Sequence, residues 1–392
     1  MTIVEFFDKD AIENVVSSLL CNPENVVLIG DDYDVMINAA KKYKTVVEKH
    51  GVTVNFSVVS VSKNELEKIV ENLEQLVKRY GEIAIDLTGG EDLYLVAAGI
   101  VYQNNPDKVY LHRFNLDNGT LYDCDADGNV IKTTRCDISI EDNLSIYGGR
   151  IICKSTQEKK AEIKKWDFDN EFKSDIDKMW KISSRNAKNW NRIMTKCFPE
   201  DVEDDTNLRV IANAFDPQKE RIIITRLEQQ CLIKNVRIIY DKLYFTCKNL
   251  QIKRCLTSAG QLLEVKTATT LMKINDTNEG KAFNDILTGV TIHWDLPKDK
   301  KAKLTNEIDV LIIKDLIPCF ISCKNGSIDV EELYKLSTVA ERFGGKYAKK
   351  ILVASENWGS VAQRAKEMDI HIIDDVKGCE DFTKDLETIL KA

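Results

Sequence analysis

Two residues in the C-terminal part of the chain have the types and spacing of a hydrolytic site. Asp309 interrupts the apolar run 306–313, and Lys324 ends a second apolar run, 318–324. The two runs predict adjacent strands of a hairpin, so the carboxylate and the amine are expected at one end of a sheet. There the acid can hold Mg²⁺ or Mn²⁺, and the lysine can orient water or stabilise the charge of the phosphorane. The chemistry that this pattern predicts is phosphodiester hydrolysis.

Glu264 is a third candidate for the same site. It lies in the stretch 262–265, which follows Ser258-Ala259-Gly260 and predicts a helix. An acid inside an apolar stripe costs free energy unless it has a partner or a metal. A purely structural interpretation stays open, in which the hairpin carries an edge aspartate and a solvated lysine.

A different pattern, near the N-terminus, predicts an anion-binding turn. The strand 82–87 runs into Thr88-Gly89-Gly90-Glu91-Asp92 and then into a helix over 93–102. Two glycines let backbone N–H groups approach an anion, and a helix N-terminus adds partial positive charge. Because open α/β sheets bind ligands at the carboxyl ends of their strands, we expect phosphate here.

A second turn, Gly30-Asp31-Asp32-Tyr33-Asp34, follows the strand 25–30. We expect it beside the first turn, at the same edge of the sheet. Its acids can hydrogen-bond ribose or base edges, but they repel phosphate unless they cap the next helix. On turn chemistry alone, both segments are equally well interpreted as ordinary strand-to-helix turns with Thr88 or Asp34 as caps.

The elements that position these turns follow an α/β pattern. Apolar strands alternate with helical stretches, of which 63–80 is the clearest. Short hairpin-like segments, the last of them at Gly148-Gly149, are expected to complete this domain. The predicted strands are 25–30, 52–59, 82–87 and 108–114.

A connector follows the first domain. The charged, helical stretch 156–214 carries three tryptophans as packing anchors, and a helix through 222–228 precedes strands at 236–240 and 243–247. A helix followed by two strands is winged-helix-like and serves either to bind nucleic acid or to pack against neighbours.

The composition is that of a globular protein with two or three domains, because 392 residues exceed what one core usually serves. No stretch reaches the roughly 20 apolar residues of a membrane span, and the start lacks the pattern of a signal peptide, so we expect a cytoplasmic protein without a membrane partner. The 11 cysteines form no CxxC and the four histidines no zinc spacing. A net charge of −8 argues against coating nucleic acid by charge alone.

The segment Asp86-Leu87-Thr88-Gly89-Gly90 resembles the ligand loop of CRISPR-associated Rossmann-fold (CARF) domains, and the Gly30-Asp31-Asp32 turn lies where such domains place their other loop. The resemblance implies a homodimer that binds cyclic tetra-adenylate across its two-fold axis. A symmetric ligand suits an interface that uses one patch twice. The ligand-binding candidates are Gly30, Asp31, Asp32, Tyr33, Thr88, Gly89, Gly90, Glu91 and Asp92.

A helix-borne glutamate, a strand aspartate and a second strand ending in acid-x-Lys are similar to the PD-(D/E)xK restriction-endonuclease-like superfamily. The resemblance implies Mn²⁺ or Mg²⁺ as cofactor, with ligands from Glu264, Asp309 and the Cys323 carbonyl. This chain has Ser322 where the superfamily has Asp or Glu, and either the Ser322 hydroxyl or Glu307 is expected to compensate. The catalytic candidates are Glu264, Asp309, Ser322 and Lys324.

The predicted fold is α/β, with a Rossmann-like CARF domain (1–150), a helical and winged-helix-like connector (151–256) and a PD-(D/E)xK-like domain (257–392). This order resembles the CARF ancillary nucleases of type III CRISPR defence, which implies ligand-activated cutting or nicking of DNA and in some members RNA. The alternatives are a ligand-responsive regulator that binds nucleic acid and has an inactive nuclease domain, and a ring nuclease that destroys its own activator.

Overall fold

The fold is seen in a computed structural model. It describes residues 1–124, 129–133, 136–152, 166–200, 206–258, 260–277, 282–294, 304–326, 328–356, 359–376, 379 and 381–391. Among the described helices, none is long and apolar enough to cross a membrane.

The N-terminal region is a seven-stranded sheet with helices packed on both faces. Its elements are β1 (Thr2–Phe6), a 3-10 helix (Ala11–Asn14), α1 (Val16–Cys21), β2 (Asn25–Gly30), α2 (Tyr33–Lys49), β3 (Asn55–Ser60), α3 (Leu66–Tyr80), β4 (Ile83–Asp86), α4 (Asp92–Asn104), β5 (Val109–Asn115), β6 (Thr120–Asp123), β7 (Val130–Thr133) and α5 (Ile140–Ile146). The strand order is β3-β2-β1-β4-β5-β6-β7, and the first five strands in this order are parallel to one another. This confirms the predicted Rossmann-like α/β architecture.

The central strand, β1, was missed by the sequence pattern. It is completely buried and pairs with β2 on one side and β4 on the other. Glu5 stands in the middle of it and is only 1% exposed, so the strand does not read as an apolar run. As a result, the prediction that the two candidate turns are neighbours is wrong: they share an edge of the sheet, but β1 separates their strands.

The connector combines helices with a small antiparallel sheet. Its elements are α6 (Asn170–Arg185), α7 (Ala187–Met194), β9 (Cys197–Pro199), β10 (Arg209–Ala212), α8 (Pro217–Gln229), β11 (Ile233–Ile239), β12 (Lys242–Cys247) and α9 (Leu250–Thr257). The strand order is β11-β12-β10-β9, so the predicted two-stranded wing is one half of a four-stranded sheet. The tip of the wing, Tyr240, is 96% exposed.

The C-terminal region is built on a six-stranded mixed sheet. Its elements are α10 (Gln261–Thr277), β13 (Asp285–Trp294), β14 (Thr305–Lys314), β15 (Ile317–Lys324), α11 (Val330–Gly344), a 3-10 helix (Gly345–Tyr347), β16 (Lys349–Ala354), α12 (Gly359–Glu367), β17 (Ile370–Ile373) and α13 (Thr383–Lys391). The order is β17-β16-β15-β14-β13-β8, with β8 at Gly149–Ile152. The pairing of β8 with β13 contradicts the expectation that Gly148-Gly149 closes the N-terminal domain.

The first and last regions share a hydrophobic core. Residues of α2 and α5 pack in one cluster with residues of β14, α11 and β16. At the same boundary, the side-chain amide of Asn143 donates to the carbonyl of Phe343 at 2.7 Å. A movement in one region therefore has a packed surface through which to act on the other.

Candidate functional sites

Asp309 lies against the strand that carries Ser322 and Lys324, as the hairpin pattern predicted. The antiparallel register pairs Val310 with Ile321. Oδ2 of Asp309 accepts hydrogen bonds from the Cys323 backbone N–H at 2.6 Å and from the Ser322 hydroxyl at 3.2 Å. Burial raises the pKa of Asp309, while the Cys323 N–H, the charge of Lys324 and the Ser322 hydroxyl oppose that rise.

Lys324 ends β15 beside this carboxylate and is itself ion-paired. Its Nζ lies 2.7 Å from Oε2 of Glu332, in the first turn of α11, and both side chains are less than one-third exposed. Burial by itself would raise the pKa of Glu332, but the hydrogen bond and charge of Lys324 lower it. The structure thus adds to the site a carboxylate that the spacing of the motif did not identify.

Glu264 approaches the site from α10. The side-chain amide of Gln261 donates to its Oε2 at 2.5 Å. One turn further on, the Thr267 hydroxyl oxygen lies 3.6 Å from Sγ of Cys323. Burial raises the pKa of the Cys323 thiol, and the charges of Asp309 and Glu264 raise it further. Both carboxylates therefore lie near Cys323, at the end of the hairpin that carries Lys324.

The connector closes over the end of β15. The side-chain amides of Asn191, on α7, and Asn325, next to Lys324, exchange hydrogen bonds of 3.2 and 3.0 Å. Trp190 and Cys255 join them around a cavity of about 60 Å³. The connector thus packs against the end of the hairpin that carries Lys324.

The turn after β4 has the conformation that its glycines predict. Gly90 has φ +113°, and a Cβ there would lie 2.6 Å from the Cβ of Phe6. Thr88 does not cap α4: its backbone N–H and hydroxyl donate to Oδ1 of Asp86 at 2.8 and 2.5 Å, and its oxygen accepts from the Phe114 N–H. Glu91 holds the N-cap position without a side-chain cap and pairs with Lys63 at 2.9 Å.

The turn after β2 is a conventional helix start. Asp32, rather than Asp34, is the N-cap of α2 and accepts from the Val35 N–H at 3.0 Å. Gly30 is buried against Met36, whereas Asp31, Asp32 and Tyr33 are exposed, as is Asp92 at the start of α4.

A loop that the sequence pattern did not assign lies between these two turns. Asp8, Asp10 and Glu13 follow β1, and among the described residues they are the group of three possible metal ligands whose ligand atoms lie within 4.8 Å of one another. Oδ2 of Asp8 accepts from the Gly90 N–H at 3.0 Å, and a Cβ on Gly89 would lie 3.1 Å from Oε2 of Glu13. The apolar start followed by closely spaced acids was the available signal.

The same loop contacts the C-terminal region. Oδ1 of Asp10 accepts from the Lys346 backbone N–H at 2.9 Å. Oε1 of Glu13 lies 2.9 Å from Nζ of Lys346 and accepts from the Tyr347 hydroxyl at 2.5 Å. Glu13 is 2% exposed, so this contact is enclosed. Lys346 and Tyr347 belong to the 3-10 helix that directly follows α11.

The C-terminal region of the chain matches a known protein family. Residues 251–390 match the family model described as "Card1-like, endonuclease domain". No curated protein sequence matches the chain significantly.

Solved structures share the fold over the whole chain. Can2 from Sulfobacillus thermosulfidooxidans, in complex with cyclic tetra-adenylate, is 14% identical with a TM-score of 0.74, covering 100% of this chain and 99% of that one. Protein VC1899 from Vibrio cholerae is 18% identical with a TM-score of 0.75, covering 100% and 98%. A type III CRISPR defence DNA nuclease activated by cyclic oligoadenylate is 14% identical with a TM-score of 0.50, covering 92% of this chain and 46% of that one. The predicted nuclease resemblance is confirmed for residues 251–390, and the predicted fold agrees with these structures along the whole chain.

Proposed function

We propose that this chain, whose residues 251–390 match an endonuclease domain, is a metal-dependent nuclease that cyclic tetra-adenylate activates in type III CRISPR defence. The observation that carries the proposal is the joint placement of Asp309, Ser322 and Lys324 at one end of a hairpin inside that matched region. The fold shared with Can2, which was solved with this ligand, supports the sensor half of the proposal.

The residues at the hairpin fit a hard divalent cation. Mg²⁺ and Mn²⁺ prefer oxygen ligands, and Asp309, Glu264 and the Cys323 carbonyl are the proposed donors. The hydrogen bonds of Asp309 to described residues all involve Oδ2, which leaves Oδ1 for a cation. A bound cation would also favour the ionised form of a carboxylate whose pKa burial raises.

Each residue has a separate role in the proposed hydrolysis. The cation, when bound, would supply Lewis-acid chemistry to the phosphodiester. Lys324 orients the attacking water or stabilises the charge that develops on the phosphate, and Ser322 and the Cys323 N–H hold Asp309 in place. Glu264 completes the oxygen ligands from the helical side.

The proposed ligand site is the edge of the N-terminal sheet. The backbone of Gly89 and the start of α4 are suited to a phosphate, and the exposed Asp31 and Tyr33 are suited to ribose and adenine. The Gly90 N–H donates to Asp8, and Asp8 and Asp10 would repel phosphate, so we place the phosphates at Gly89 and the start of α4.

A homodimer is proposed through α4. Three apolar side chains on this helix are at least 36% exposed: Leu95, Val96 and Ile100. Positions 96 and 100 are one helical turn apart and form one face. An isologous contact between two such faces would place two copies of the sensor edge around one symmetric ligand.

The proposed allosteric coupling runs through Glu13. One oxygen of this carboxylate contacts Lys346 and Tyr347, and the other lies at the position next to Gly89 in the ligand turn. Ligand that displaces the turn would therefore alter the contact with the 3-10 helix after α11. Such a shift between two arrangements is the physical basis of activation by a distant ligand.

The proposed substrate is DNA or RNA. A groove of about 510 Å³ between α6 and α8 is lined by Lys178, Lys181, Arg185 and Arg226, which suits a phosphate backbone. Asp177 also lines the groove and pairs with Lys266 of α10 at 2.9 Å, which links the groove to the helix that carries Glu264. A cytoplasmic location stays a prediction.

The proposal is tested by cleavage of single-stranded DNA, supercoiled DNA and RNA with Mn²⁺ or Mg²⁺, with and without cyclic tetra-adenylate. Wild type is expected to cleave at least one substrate only with ligand and metal. Lys324→Ala is expected to lose about 100-fold or more of that rate, because it removes charge stabilisation at the phosphate.

The matched control is Lys366→Ala, since Lys366 is exposed on α12 of the same region. Ligand binding without cleavage of any substrate would contradict the proposal and favour the regulator with an inactive nuclease domain. Destruction of the ligand by Lys324→Ala would favour a ring nuclease instead.

A further inference from the structure

We propose that Glu332 is an acidic metal ligand of the nuclease site and supplies the carboxylate that this chain lacks at Ser322. The inference rests on the proposed nuclease function and names a residue of the same site. It starts from the 2.7 Å contact between Glu332 and Lys324.

The direct contact with Lys324 sets Glu332 apart from the other acids near the hairpin. Glu307 is close enough for its charge to act on Asp309, and the charges of Asp309 and Glu264 both act on Cys323. Glu332 is the acid whose carboxylate lies 2.7 Å from the Lys324 ammonium, on the face of β15 that also carries Ser322. A cation bound there would sit beside a lysine, so an additional carboxylate lowers the cost of placing like charges together in a partly buried site.

The position of Glu332 differs from that of an ordinary helix-surface acid. Its neighbour Glu331 is 72% exposed and pairs with Lys335 one turn along the same helix. Glu332 is 26% exposed: its Oε1 lies 3.4 Å from Lys335, but its Oε2 points to Lys324 at the end of β15. Its backbone N–H donates to Asp329, the N-cap of α11, at 3.2 Å, so its backbone position in the first turn is fixed.

Ser322, Asp309 and Glu332 all meet around Lys324. Residues 322 and 324 lie on one face of β15, because side chains in a strand alternate. Asp309 accepts a hydrogen bond from the Ser322 hydroxyl, and the positive charge of Lys324 favours the ionised form of its carboxyl group. A carboxylate placed at 322 and the carboxylate of Glu332 would therefore compete for the same space beside Lys324.

Binding of the cation requires one rearrangement. Among the described residues, Asp309 does not belong to a group of three possible ligands within 4.8 Å. The side chain of Glu332 would rotate from Lys324 towards Asp309, for which its partial exposure leaves room.

The experiment measures Mn²⁺ binding by calorimetry and ligand-stimulated nicking as a function of Mn²⁺ concentration, in the full-length protein. Glu332→Gln is expected to weaken Mn²⁺ binding about 10-fold or more, with a matching shift in the Mn²⁺ dependence of nicking. Glu331→Gln, the matched control, is expected to change neither. The double variant Ser322→Glu with Glu332→Gln is expected to recover Mn²⁺ binding relative to Glu332→Gln.

The outcomes separate this inference from the proposed function. Unchanged Mn²⁺ binding in Glu332→Gln, alongside weakened binding in Asp309→Asn, overturns the role of Glu332 and leaves the nuclease intact. Slower nicking with unchanged Mn²⁺ binding also overturns it, because Glu332 would then only position Lys324. Equal Mn²⁺ binding by wild type and Asp309→Asn contradicts the proposed metal site as a whole.

Discussion

The conformation of the turn after β4, the proposed ligand turn, depends on Gly90. Its φ of +113° lies in the region that favours glycine, and the space where a Cβ would stand is taken by Phe6 of the central strand. The conformation of the turn therefore requires glycine at residue 90.

Gly90→Ala is expected to destabilise the protein by about 2 to 3 kcal/mol, from backbone strain and from the overlap with Phe6. Gly81→Ala is the matched control, because Gly81 has φ +81° but open space around its Cβ position. It is expected to cost about 1 kcal/mol, from strain alone. Urea unfolding measures both, and equal losses would contradict the packing argument.

At the residue scale, Asp309 and Lys324 were predictable from the sequence because Asp309 interrupts an apolar run and Lys324 ends one. Glu332 was not predictable in this way, since its proposed role follows from a contact between α11 and β15 and not from spacing within a strand. Asp8, Asp10 and Glu13 were missed for a different reason: their strand, β1, contains a buried glutamate and was not recognised as a strand.

At the element scale, α2 and α5 are joined by Asp142. Its carboxylate forms a capping box with Ser139, lies 2.7 Å from Nζ of Lys49 and 3.2 Å from Nε2 of His50. Burial opposes its ionisation, but the hydrogen bonds from Lys49, Ser139 and His50 prevail and lower the pKa of Asp142 to about 2.

Asp142→Asn is expected to lower the free energy of unfolding by about 2 kcal/mol at neutral pH. A folded-state pKa below the unfolded value stabilises the protein above about pH 4, and this stabilisation is lost as pH falls towards 2. The difference between wild type and Asp142→Asn should therefore shrink over that window in chemical unfolding. Glu141→Gln, an exposed neighbour, should change stability by less than about 0.5 kcal/mol, and a similar loss in both variants would contradict the assignment.

The long helices and apolar strands were predictable because their periodicity is strong. The predicted helix 63–80 corresponds to α3, and the predicted strands 306–313 and 318–324 correspond to β14 and β15. The partner of β8 was not predictable, because a four-residue strand contains nothing that selects β13, more than 130 residues away, over a nearer hairpin.

At the scale of the whole molecule, the buried contact of Glu13 with Lys346 and Tyr347 is the proposed link between ligand and catalysis. Glu13→Gln keeps the shape of the side chain and removes its charge. It is expected to leave ligand affinity within about 3-fold while reducing ligand stimulation of cleavage about 10-fold, a coupling energy in the usual range. Glu24→Gln, at an exposed site, serves as the control, and undiminished stimulation in Glu13→Gln would exclude this route.

The exposed face of α4 makes a separate prediction about assembly. Val96→Glu is expected to convert the proposed homodimer into a monomer, because a charge placed in an apolar isologous contact is introduced twice. Sedimentation at several concentrations measures the change, with Lys366→Glu on α12 as a control for the added charge. A dimer that survives Val96→Glu would place the interface elsewhere.

The most direct test of the whole account is a titration of cyclic tetra-adenylate against the rate of nucleic-acid cleavage at fixed Mn²⁺, with ligand binding followed in the same samples. The account predicts no cleavage without ligand, a rate that rises in proportion to bound ligand, and saturation at one ligand for two chains. A cleavage rate that is the same with and without bound ligand would contradict it.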